Sequence, residues 1–81
     1  MGIIVYSTKT CPYCNMAKEY LRSKDIKFED VYVDIETDRQ PEMIAKSGQT
    51  GVPVLDIDGD IVIGFNKPVI DNYLQQHKYT E

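Results

Sequence analysis

Gly2-Ile3-Ile4-Val5-Tyr6-Ser7-Thr8-Lys9-Thr10-Cys11-Pro12-Tyr13-Cys14 is the stretch that decides the fold. Residues 2–7 are apolar and β-rich without alternation, the pattern of a strand buried on both faces. Pro12 is a residue favoured at the first helical position. After it Met16, Ala17, Tyr20 and Leu21 recur at helical spacing. A strand, a short loop and a helix therefore follow one another, with Cys11 at the N-cap and Cys14 one turn in. Cys11 then faces the free backbone N–H groups and the positive end of the helix dipole, which favour thiolate over thiol. Lys9 adds a nearby positive charge.

Cys11 and Cys14 are the two cysteines of the chain. A structural zinc site needs four ligands from Cys and His. His77 is the lone histidine, so zinc would need a dimer. A structural disulfide this short is worth about 2 kcal/mol in the chain-entropy account, and is unusual in a reducing cytosol. Pro12 and Tyr13 between the cysteines do not suggest inert core thiols. A Cys-x-x-Cys pair between a strand and a helix reads instead as a redox motif. Lowering a thiol pKa from about 8.5 to about 6 raises the thiolate fraction at neutral pH roughly thirtyfold. The weaker nucleophile returns roughly tenfold of that, and the larger benefit is a sulfur that leaves easily. Cys11 is therefore expected to attack and to leave, and Cys14 to resolve.

Working outward, Phe28, Val31, Val33 and Ile35 predict a second strand, partly alternating with Asp30, Tyr32 and Asp34. Thr37 to Gln40 fits a capping box, Pro41 suits a first turn, Met43 and Ile44 face inward, and Gly48 ends this helix as a left-handed cap. Val52 to Ile57 and Asp60 to Ile63 flank Asp58-Gly59, a two-residue hairpin signal. Asn66 is expected to cap a last helix whose Val69, Ile70, Tyr73 and Leu74 share a face. Its backbone N–H and that of Lys67 can bind a carboxylate there. His77 and the acidic run Glu29, Asp30, Asp34, Glu36 and Asp38 read as solvated residues. The order β-α-β-α-β-β-α predicts an α/β fold with a four-stranded mixed sheet. Its redox loop lies at the C-terminal end of the first strand.

The 81 residues, 42% apolar and 27% charged, suit one globular domain over 1–81. The net charge of −4 argues against a nucleic-acid partner, which needs a basic face. Residues 1–27, which hold both cysteines, are nonetheless net +3. The apolar runs are too short to span a membrane. A cytoplasmic monomer is the expectation.

Cys11-Pro12-Tyr13-Cys14, Gly48-Gln49-Thr50-Gly51-Val52-Pro53 before the hairpin, and Gly64-Phe65 before the last helix resemble the glutaredoxins. The likeness covers nearly the whole chain. It implies a thioredoxin fold and a thiol–disulfide oxidoreductase acting on protein disulfides or glutathione mixed disulfides. Glutathione is then a co-substrate, with no metal or prosthetic group. It also implies that Pro53 is cis, with the Val52 backbone facing the active-site sulfur. Lys9, Tyr13, Val52, Pro53, Phe65, Asn66 and Lys67 are the implied substrate and glutathione contacts. Three positions depart from the family pattern: Thr8 where a basic residue is usual, Gly51 where Thr is usual, and a single glycine at Gly64. The stretch Gly64-Phe65-Asn66-Lys67-Pro68 resembles instead the tail of redoxins that serve ribonucleotide reductase and are recharged by thioredoxin reductase. Electron donation with little glutathione use is the alternative reading. An iron–sulfur carrier is disfavoured by Pro12 beside the thiol, and a strand-binding module with incidental thiols stands as a third class.

Overall fold

The structure, a computed structural model, describes residues 2–79. Met1, Thr80 and Glu81 of the expected 1–81 domain lie outside the described residues. The elements are β1 (Ile3–Ser7), α1 (Pro12–Ser23), β2 (Glu29–Tyr32), α2 (Gln40–Ser47), β3 (Val54–Ile57), β4 (Asp60–Ile63) and α3 (Lys67–Gln76), with a 3-10 turn over Thr37–Arg39 before α2. One sheet runs β2-β1-β3-β4. The crossover through α1 makes β1 and β2 parallel, while β1–β3 and β3–β4 are antiparallel.

The two central strands explain the unalternating runs, because each lies between two apolar layers. On one face Ile3, Val5, Leu55, Ile57 and Val62 pack with Ala17 and Leu21 of α1 and Ile70 and Leu74 of α3. On the other, Tyr6, Val31, Val33 and Val54 pack with Met43 of α2. Asp58 and Gly59 both take positive φ, 49° and 99°, as a two-residue hairpin turn between twisted strands requires. Gly48 ends α2 at φ 72° and donates its N–H to the Ile44 carbonyl at 2.7 Å.

Several local expectations are corrected. The second strand stops at Tyr32, because β1, the strand it pairs with among the described residues, ends at Ser7. The Val33 N–H still reaches the Ser7 carbonyl (2.9 Å), after which Ile35 and Glu36 turn back onto Tyr32 and leave Ile35 exposed. The capping box does not form. Thr37 opens the 3-10 turn, and the Gln40 side chain donates to the Val33 carbonyl at 2.8 Å instead. Ile44 is exposed and Met43 carries the α2 contact. In α1 the buried stripe is Cys14, Ala17, Lys18 and Leu21, and Met16 faces out.

Asn66 holds the N-cap position of α3 through its backbone, with no side-chain capping bond. His77 is half-buried and paired, its Nε2 2.6 Å from an Asp60 oxygen. The acidic run is also engaged in part: Glu29 pairs with Arg39, Asp30 with Lys18, and Asp34 accepts the Lys9 N–H.

Candidate active site

The site begins at the C-terminal end of the central strand β1, from which Thr8 to Thr10 carry the chain onto the start of α1. Cys11 is the N-cap, with extended backbone angles (φ −105°, ψ 106°), and Pro12 opens the helix. A capping side chain accepts an orphan N–H of the first turn. Here the acceptor is sulfur: the Cys14 N–H donates to Cys11 Sγ at 3.2 Å. Cys11 and Cys14 are joined as a disulfide, with their Cα atoms 5.2 Å apart. Their surroundings differ. Cys11 is partly exposed and Cys14 is fully buried.

The second half of the site comes from the loop before β3. The Val52–Pro53 peptide bond is cis, and Pro53 is fully buried. The Val52 carbonyl oxygen lies 4.0 Å from Cys11 Sγ. The Pro53 carbonyl accepts the Gly64 N–H at 2.8 Å, so the loop is tied to the end of β4. Just upstream, Gln49 closes on Gly51: its Oε1 accepts the Gly51 N–H at 2.6 Å and its Nε2 donates to the Gly51 carbonyl at 3.0 Å. A Cβ at Gly51 would lie 2.7 Å from that Gln49 Oε1. Glycine therefore permits the clamp. The sequence marked Gly51 as a departure but gave no sign of Gln49.

Cys11, Cys14, Val52 and Pro53 are thus brought together. Tyr13 stands exposed on the turn between the sulfurs. Lys9 is exposed on the approaching loop, where its backbone is held by Asp34 at 3.2 Å. Phe65 is half-buried and packs edge-on against Tyr20, ring centroids 5.9 Å apart, which makes it a rim of the core. The Lys67 ammonium lies over the Tyr20 ring at 5.0 Å. Burial, followed by its hydrogen bond to Asp71, raises the Tyr20 hydroxyl to about 12 and keeps it neutral. Lys18, which the sequence reading passed over, is buried one turn beyond Cys14. A lysine within the apolar period of α1 was the signal that could have found it. Among the described residues, no group of three or more His, Cys, Asp or Glu side chains is placed to hold a metal ion. No helix among them is long and apolar enough to cross a membrane.

A family model described as Glutaredoxin matches residues 3–62. A glutaredoxin-like 8.6 kDa protein in a rubredoxin operon of Clostridium pasteurianum, itself uncharacterized, is 50% identical over 74 residues, covering 91% of this chain and 99% of its own. Glutaredoxin 3 of Escherichia coli K12 is 40% identical over 63 residues, covering 78% and 76%. Among solved structures, a glutaredoxin of Archaeoglobus fulgidus superposes with a TM-score of 0.84 at 23% identity, over 93% of this chain and 88% of that one. That likeness is one of fold.

Proposed function

This chain belongs to the glutaredoxin family, and on that premise we propose that Cys11 is the nucleophile and Cys14 the resolving thiol of a dithiol–disulfide oxidoreductase that draws on glutathione. The observation that carries the reading is the asymmetry of the sulfurs. Cys11 is partly exposed and caps a helix start with its sulfur on the Cys14 N–H, while Cys14 is buried. After reduction the neutral disulfide sulfur of Cys11 becomes a thiolate, and the same N–H and helix dipole face that charge.

Cys11 thiolate attacks one sulfur of a substrate disulfide, and the other sulfur departs and takes up a proton. Cys14 then attacks the Cys11 sulfur of the mixed disulfide, which releases the bound substrate as a thiol and leaves the Cys11–Cys14 disulfide. Where the bound group is glutathione, a second glutathione thiolate can attack its sulfur instead, leaving as glutathione disulfide and freeing the Cys11 thiolate. Two glutathione molecules reduce the Cys11–Cys14 disulfide and become glutathione disulfide. The Val52 backbone beside Cys11 supports an extended, strand-like approach of the substrate. Lys9, Tyr13, Asn66 and Lys67 are the proposed contacts for the charged ends of glutathione, and Pro53 and Phe65 shape the floor.

The Gln49 clamp favours a second reading. It occupies both backbone groups of Gly51 and so removes them from a glutathione contact. That is consistent with the alternative, electron transfer from thioredoxin reductase with little use of glutathione. The deciding experiment compares the reduction rate of the oxidised protein by glutathione with its rate under NADPH and thioredoxin reductase. Fast reduction by glutathione supports the first reading, and reduction by the reductase alone replaces it with the second. Cys11→Ser is expected to abolish all turnover. Cys14→Ser is expected to keep reduction of small glutathione mixed disulfides.

A further inference from the structure

Lys18 is only 2% exposed, a rare state for a lysine. It lies four residues beyond Cys14 on the buried face of α1, a spacing that sets two side chains about 5–6 Å apart at Cβ. Helical side chains lean toward the helix N-terminus, which directs the stem of Lys18 toward the turn that carries Cys14. Its Nζ is 2.8 Å from an Asp30 oxygen and 4.1 Å from the centre of the Tyr32 ring. The ammonium meets that carboxylate without a well-directed hydrogen bond, and no other acceptor reaches it among the described residues. Ser7 Oγ donates to the same carboxylate at 3.3 Å. Tyr32 pairs with Ser7, the last residue of β1 before the loop to Cys11.

Fold stability does not call for this arrangement, because apolar groups in place of a buried ion pair are often neutral or stabilising. Cys14 is fully buried, and burial disfavours a thiolate. We propose that Lys18 is a positioning charge for Cys14, its buried ammonium stabilising the sulfur anion that Cys14 must become to resolve a mixed disulfide. The proposal rests on the two-thiol reading above. In the step, the Cys14 proton passes to solvent and the Cys14 anion forms a bond to Cys11 Sγ. The bond from Cys11 to the substrate sulfur breaks, and the departing thiolate takes a proton from solvent. Cys14 is oxidised to the disulfide level, Cys11 stays at it, and the substrate sulfur is reduced. The titratable groups packed on Lys18 are Asp30 and Tyr32 of β2. Glu19 on α1 is exposed, and Asp71 and Lys67 of α3 are occupied at Tyr20. Asp30 opposes Lys18 but is 26% exposed, so solvent screens part of its charge.

The test mixes the reduced protein with glutathione disulfide between pH 5 and 9. Alkylation and mass spectrometry then follow the first glutathione released, by Cys11, and the second, by Cys14. Lys18→Met is expected to slow the second release about tenfold at pH 7 and to move its pH midpoint up about one unit. The first release should change less than about twofold. Asp30→Asn keeps the ammonium and lifts the opposing charge, so it should move the second midpoint down. An unmoved second release, or both releases slowed together in Lys18→Met, overturns the proposal. If Lys18→Met does not fold, the absence of a downward shift in Asp30→Asn overturns it. A wild-type protein that stops after the first release refutes the two-thiol reading itself, whereas normal wild-type release with unmoved variants refutes only the role of Lys18.

Discussion

Gly51 illustrates how much one missing side chain can decide. Its φ lies outside the left-handed region that favours glycine, and a Cβ there meets only the far end of the flexible Gln49 side chain. Threonine is therefore conformationally allowed and displaces the clamp. Gly51→Thr is expected to raise turnover of a glutathione mixed disulfide about two- to fivefold, and to leave stability unchanged or up to about 1 kcal/mol higher through the unfolded state. Steady-state kinetics and a urea midpoint check both. A loss of more than about 1 kcal/mol would mean that the clamp holds the loop in shape. The position of Cys11 at the helix start was legible in the sequence because an N-cap is a local feature. The clamp was not, because it depends on two side-chain torsions in a loop, which no periodicity reports.

Helix α2 shows the same division one level up. Its glycine cap was legible at Gly48, but its anchor to the sheet was not. Tyr6, fully buried in β1, donates its hydroxyl to Glu42 and receives the Lys46 ammonium at 2.8 Å. Lys46 also meets Asp56 of β3 at 2.6 Å. Asp56 Oδ1 in turn accepts the Gly59 N–H at 2.7 Å, so one carboxylate joins the hairpin turn to α2. Hydrogen bonds from Arg39 and then Tyr6 hold Glu42 well below the usual carboxylate range, at about 2. A carboxyl whose folded value is depressed stabilises the fold above its unfolded value near 4.5, and that contribution is lost as pH falls from there through about 2. Glu42 is 36% exposed, so screening reduces the effect to about 1 kcal/mol. Urea midpoints at pH 6 and pH 3 should differ less in Glu42→Gln than in the wild type. An equal difference would remove Glu42 from the acid response.

For the molecule as a whole, two apolar layers flank one small sheet, and the strands shared by both carry the load. A chain of 81 residues has a thin core, so truncation in a central strand leaves few neighbours to close the gap. Leu55→Ala in β3 is expected to cost about 2–5 kcal/mol. Chemical denaturation measures it, and a cost below about 1 kcal/mol would show that the layer collapses freely around the cavity. Element order, the hairpin and the cysteine-bearing helix start could be read from the chain because each depends on neighbours a few residues apart. The strand limit at Tyr32 and the pairing of His77 depended on groups distant in the sequence. So did the burial of Lys18 and the approach of Val52 to Cys11. Packing decided them, because a side chain's surroundings are set by the elements folded against it.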